Sequence, residues 1–156
     1  MNTVDFWNRM KKIQRIHRFL YAIGWGPIVG KIILLLTTTG RKSGLRRITP
    51  LQYEEIGGKY YLGSARGTKS DWFRNIVANE MVEVRVKNRY FRGVAVTSTD
   101  PSRIADFLEV RLKRHPFMMG ILMQKAHNLP KCPNREQLLE LAKAEALVEI
   151  QPVEEY

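Results

Sequence analysis

A chain of 156 residues, 44% hydrophobic and 26% charged, has the length of one domain and enough bulky apolar material for one core, which excludes wholesale disorder and a disulfide-stapled miniprotein. One cysteine, Cys132, excludes an internal disulfide, and with only three histidines it cannot supply an ordinary Cys/His structural zinc site. The net charge of +11 is uneven, because residues 1–47 hold ten basic groups against one acid, Asp5, while the rest hold sixteen against fourteen; such a local positive field suits nucleic acid, anionic lipid or a polyanionic small ligand.

The amino terminus lacks the basic tip and apolar run of a secretory signal, and together with the lone cysteine this predicts a cytoplasmic protein. In Phe6–Leu20 the apolar residues Phe6, Met10, Ile13, Ile16 and Leu20 recur at helical spacing with Lys11, Lys12, Arg15 and Arg18 mainly elsewhere. This is a basic amphipathic helix, packed on the domain or lying peripherally on an anionic membrane. The following stretch to Leu36 is interrupted by Gly24, Gly26, Pro27, Gly30 and Lys31 and reads as turn then strand, not as a membrane span.

Ile32–Thr39 is a β-branched and aliphatic run ended by Gly40-Arg41-Lys42-Ser43-Gly44, hence a strand and a basic turn. Arg46–Glu54 reads as one extended segment, in which Pro50 demands an edge or bulge position. Gly57-Gly58 turns the chain into Lys59–Ser64, and the small basic loop Ser64–Lys69 leads to Ser70 as helix N-cap and a short helix Asp71–Ala78. Val82, Val84 and Val86 alternate with Glu83, Arg85 and Lys87, predicting a strand Met81–Lys87 joined by Asn88-Arg89 to Tyr90–Thr97.

Asp100-Pro101 predicts a capped helix to Lys113, broken at His115-Pro116. A second helix over Phe117–His127, a third from the cap Asn134 to about Lys143 and a last strand Ala146–Gln151 complete the reading. The sum is one α+β domain over residues 1–156: an amino-terminal helix and turn in 1–30, a strand-rich core in 32–97, helices in 101–143 and a strand in 146–151. Its hairpins suggest a small antiparallel barrel.

The chain has no dinucleotide or Walker loop, no nucleophile elbow and no zinc-protease motif. Two loops and a helix start stand out instead: Gly40–Gly44 with Arg46-Arg47, Ser64-Ala65-Arg66-Gly67, and Asp71-Trp72-Phe73-Arg74-Asn75. They offer guanidinium and ammonium groups, glycines, hydroxyls and an aromatic, the chemistry that holds a phosphate-bearing planar cofactor. No nucleic-acid motif accompanies the basic residues, whose aromatics are not interleaved for stacking.

The runs Leu34–Leu51 and Tyr61–Asn75, followed by Ala78-Asn79, resemble the deazaflavin-dependent nitroreductase and quinone reductase family. The resemblance is strongest over Ile32–Val86 and loose in the amino-terminal helix and after His115. It implies an FMN-binding type of split β-barrel and coenzyme F420 as hydride donor, with FMN as the alternative cofactor in related barrels. By position, Arg41, Lys42 and Ser43 match residues that hold the phosphodiester and acidic tail, and Arg47, Thr49 and Pro50 line the next part of the groove. Ser64, Ala65, Arg66 and Gly67 match the loop beside the ring, and Trp72 and Asn75 match the helix start at the phosphate end.

The partner implied is a small-molecule electron acceptor, a quinone, nitro compound or similar planar molecule, and since such barrels are often dimers the resemblance also raises a homodimer. The family's quinone and nitro reductases place tyrosines over the substrate, whereas residues 115–155 contain none. His115 and His127 are then the candidate proton donors at neutral pH. A non-catalytic cofactor- or lipid-binding module is the alternative function, consistent with those missing tyrosines and with the methionines at 118, 119 and 123.

Overall fold

Leucine and threonine alternate inward and outward from Ile33 to Thr39, and the computed structural model, which describes residues 33–156, makes this stretch strand β1. The expected amino-terminal helix, its turn and its membrane contact lie outside the described residues. Strands β2 (Arg46–Gln52), β3 (Glu54–Ile56), β4 (Lys59–Ser64), β5 (Met81–Val86), β6 (Arg89–Ser98) and β7 (Ala146–Glu155) join β1 in one sheet. Its order is β2-β1-β5-β6-β7-β4-β3, antiparallel at every pairing.

The expected single segment Arg46–Glu54 is two strands, β2 and β3, on opposite edges of the sheet with only Tyr53 between them. A one-residue link reaches at most about 7 Å between flanking Cα atoms, so the sheet must curl until its edges meet there. Pro50 sits in edge strand β2, where its missing N–H costs no ladder bond.

The concave side holds one core, built from Leu34, Leu36, Tyr60, Leu62, Val84, Phe91, Val148 and Ile150. Helix α1 (Asp71–Ala78) adds Phe73 and Ile76 to it. A second core lies between the convex side of β4 and β7, through Tyr61 and Leu147, and helices α2 (Pro101–Arg114), α3 (Pro116–His127) and α4 (Arg135–Ala142). Neighbours in β4 and β7 serve different cores because a strand points successive side chains to opposite faces.

Local signals place the helices well. Asp100 accepts from the Ser102 N–H at 3.0 Å, and Asn134 forms a capping box with Gln137. Ser70 departs from expectation: it precedes α1, but its hydroxyl makes no cap bond and pairs with the Ser64 hydroxyl at 2.8 Å. The β5–β6 turn is Lys87-Asn88, not Asn88-Arg89, with Lys87 at φ +53°. Strand β7 runs past Gln151 to Glu155 because β6 is long enough to pair with it to Phe91.

Candidate functional site

The β1–β2 turn is built on two glycines. Gly44 takes φ +70°, and a Cβ on Gly40 would lie 2.7 Å from Ser43 Oγ. Gly40 and Gly44 close the turn by donating to Leu45 O and Gly40 O, each at 2.7 Å. The turn therefore holds Arg41, Lys42 and Ser43 beyond the end of the sheet, next to the first turns of α1.

Between them is a cavity of about 590 Å³ lined by the Gly40–Ser43 turn, by Arg46, Arg47, Ile48 and Thr49 of β2, and by Asp71, Trp72 and Asn75 of α1. Arg47 and Thr49 pair with Thr38 and Leu36 and so share the concave face with them. Trp72 packs against the concave core and meets Phe73 edge-on, with centroids 6.2 Å apart.

Asn75 is the buried hub of this end of the molecule. Its Nδ2 donates to Thr38 Oγ1 at 3.1 Å, and its Oδ1 accepts from the Arg41 backbone N–H at 3.2 Å and from Arg41 Nη1 at 3.0 Å. Arg41 Nη2 reaches Asp71 Oδ1 at 3.1 Å. The guanidinium beside it holds the Asp71 carboxyl below the usual carboxylate range.

The four cations of the cavity are thus of two kinds. Arg41 is committed to α1, and Arg46 reaches across β1 to Glu83 of β5, which also accepts from the Tyr90 hydroxyl at 2.6 Å. Lys42 and Arg47 are exposed and make no ion pair among the described residues. With the Ser43 and Thr49 hydroxyls they leave donors free for an anion.

Of the residues singled out from the sequence, Arg41, Lys42, Ser43, Arg47, Thr49, Trp72 and Asn75 come together around this cavity. Pro50 does not line it: strand alternation turns it to the convex face, where it is buried opposite Leu35. The Ser64–Gly67 loop follows β4 at the same end of the sheet, and none of its residues is in the lining of this cavity. Ser64 is buried and donates to Gly67 O at 2.7 Å. Gly67, at φ +59°, presses its backbone against Ala144 so closely that a Cβ would lie 2.7 Å from the Ala144 carbonyl. Ala65 is half-buried and Arg66 exposed.

Asp71 and Arg46, which the sequence offers only as members of the basic loops and the helix start, also line the site. The signal for Asp71 is an acid at the first position of a helix whose neighbours are basic, but its partner is 30 residues away. The two candidate proton donors lie elsewhere. His115 Nε2 is 2.9 Å from Glu54 at the opposite end of the sheet, and His127 Nε2 is 3.8 Å from Glu145, in surroundings whose burial pushes the imidazole pKa down.

A curled antiparallel sheet with helices on its convex side and a cationic, hydroxyl-lined cavity at one end defines the class: an α+β barrel-like protein with an anion-attracting groove. A family profile described as F420H(2)-dependent quinone reductase matches residues 10–116, and the chain belongs to that family. An F420H(2)-dependent quinone reductase of Mycobacterium tuberculosis is 32% identical over 98 residues, which cover 58% of this chain and 65% of that protein. Among solved structures, an F420-H2 dependent reductase superposes with a TM-score of 0.52 at 22% identity, over 78% of this chain and 95% of its own. Another, described as a domain-swapped dimer, superposes with a TM-score of 0.54 at 20% identity, over 96% of this chain and 100% of its own. These two likenesses are likenesses of fold.

Proposed function

We propose that the chain is an F420-dependent oxidoreductase built on a split β-barrel of the flavin-binding type, which passes a hydride from the reduced deazaflavin to a quinone, nitro compound or similar planar acceptor. The observation that carries the reading is the pair Lys42 and Arg47, two cations with no ion pair among the described residues, in a cavity where Arg41 and Arg46 are already neutralised. A cofactor with a phosphodiester and glutamate carboxylates is a polyanion, and this donor set fits it.

In this reading Lys42, Ser43 and Arg47 hold the phosphodiester and acidic tail, while Arg41, locked to Asp71 and Asn75, shapes the turn that presents them. Thr49 lines the groove, Trp72 closes it, and the Ser64–Gly67 loop borders the ring. When bound, reduced F420 supplies the hydride. The chain's own residues bind and orient, and neither His115 nor His127 is among the described residues that line the cavity. A cytoplasmic compartment and a homodimer belong to the same reading, the latter supported by the solved neighbour described as a domain-swapped dimer.

The test is anaerobic mixing of the protein with reduced F420 and a soluble quinone, following recovery of the oxidised deazaflavin absorbance. Acceptor-dependent recovery in the parent, lowered at least tenfold in kcat/KM by Arg47→Ala, is expected. Cofactor binding with no acceptor-dependent recovery would replace this reading with a binding module.

A further inference from the structure

Arg46 lines two cavities. One is the cationic cavity of about 590 Å³, and the other is a cleft of about 160 Å³ whose walls include Thr37, Thr39, Glu83 and Arg92. The residue is a shared wall, and its side chain, 65% exposed, has room to turn toward either space. It is turned toward the cleft, where Arg46 Nη2 pairs with Glu83 Oε2. The Tyr90 hydroxyl donates to the same carboxylate oxygen at 2.6 Å and accepts from Arg46 Nη2 at 3.4 Å.

These groups are part of a row of alternating charge that crosses the convex face: Arg46 of β2, Glu83 of β5, Arg92 of β6 and Glu154 of β7. Glu83 and Arg92 are directly opposite in the β5–β6 register, which places their Cβ atoms about 5 Å apart. The Arg92 side chain is 43% exposed and meets Glu154 loosely, at 3.7 Å. Arg46 can therefore leave without stranding the Glu83 carboxylate, because Tyr90 stays on it and Arg92 stands across from it. A half-buried carboxylate with no such replacement would hold its arginine fast.

We propose that Glu83 is a positioning residue that keeps Arg46 as a reserve cation: an anionic ligand seated on Lys42 and Arg47 draws Arg46 off Glu83, and Glu83 passes to Arg92. The proposal rests on the reading of the large cavity as the seat of an organic phosphate. The exchange gives up one exposed ion pair and a loose second one, and makes Arg46 with the ligand and Arg92 with Glu83 in their place. Until then Glu83 competes with the ligand and sets the affinity below what the cations alone would give. A cofactor consumed as a hydride donor must leave after each turnover, and a built-in competitor favours that release.

The experiment is calorimetric titration of the full chain with inorganic pyrophosphate and, in parallel, with F420, on the parent, Glu83→Gln, Arg46→Gln and the double variant. Glu83→Gln is expected to bind pyrophosphate about fivefold more tightly, the scale of one exposed ion pair. In the Arg46→Gln background the same change is expected to have no effect, since Glu83 then has nothing to withhold. Glu83→Thr, which suits a strand position, is expected to repeat the tightening and stands in for a glutamine variant that folds poorly. Unchanged pyrophosphate affinity in both Glu83 variants overturns the proposal, as does absence of pyrophosphate binding in every form. So does equal tightening with and without Arg46, which would make Glu83 a distant repulsive charge. Tightening of pyrophosphate with no binding of F420 by any form would uphold the reserve cation and overturn the F420 reading alone.

Discussion

Asn75 grips Arg41 twice, its Oδ1 accepting both the backbone N–H at 3.2 Å and the guanidinium at 3.0 Å, while its own amide nitrogen donates to Thr38 at 3.1 Å. One buried side chain thereby ties the end of β1, the basic turn and α1 together. Asn75→Ala strips partners from the Thr38 hydroxyl and the Arg41 N–H at once, and unpaired buried polar groups cost about 1–3 kcal/mol each. We expect a clear fall in melting temperature together with weaker cofactor binding, measured on the same preparation by thermal denaturation and fluorescence titration.

Lys42 and Arg41, adjacent in sequence, should separate in their effects. Lys42→Ala removes an exposed cation with no ion pair among the described residues and is expected to weaken cofactor binding about tenfold with no change in melting temperature, since surface substitutions usually stay within about 0.5 kcal/mol. Arg41→Ala also frees Asp71 and half-empties the Asn75 carbonyl, so it is expected to lower both affinity and stability. A matched loss of stability in the two variants would remove the distinction.

How much of this was legible beforehand depended on distance along the chain. The β5–β6 alternation, the Asp100-Pro101 cap, the Asn134 cap and the edge position of Pro50 are local patterns with local causes, and each appears in the structure. The break at Tyr53 has no glycine or proline to announce it; it exists because the two strand edges must meet. Ser70 loses its capping role to Ser64, six residues back. The family resemblance groups Pro50 with Arg47 and Thr49, yet period-two alternation turns it to the other face. The Arg41–Asp71 and Arg111–Glu54 pairs span 30 and 57 positions, and only the fold brings them together.

Gly67 is expected to resist any side chain. Its φ of +59° already disfavours alanine, and a Cβ there would lie 2.7 Å from the backbone oxygen of Ala144, which cannot rotate away. Gly67→Ala should destabilise by about 2–3 kcal/mol, read as a drop in melting temperature. Gly57→Ala, with φ of +59° but open space around it, should lose less.

Glu145 is buried next to His127 and within the field of Arg111, and burial raises its carboxyl pKa to about 7. A carboxyl raised from its unfolded 4.5 favours the fold below that value and loses its contribution as pH rises through about 7. His127 has the opposite sign: its pKa lowered by burial withdraws stability as pH falls below its unfolded value of 6.5. Glu145→Gln removes only the first effect. It is expected to raise the melting temperature at pH 8 and to change it little at pH 5, which melting curves of parent and variant at the two pH values will show.

The central claim, that Lys42 and Arg47 receive an F420 anion, is tested most directly by fluorescence titration. The protein and its Lys42→Ala and Arg47→Ala variants are titrated with F420 and, in parallel, with FMN. The account predicts tight binding of F420 by the parent, weak binding of FMN, and F420 affinity lowered about tenfold in each variant with the fold intact. F420 affinity unchanged in both variants, or FMN bound more tightly than F420, would contradict it.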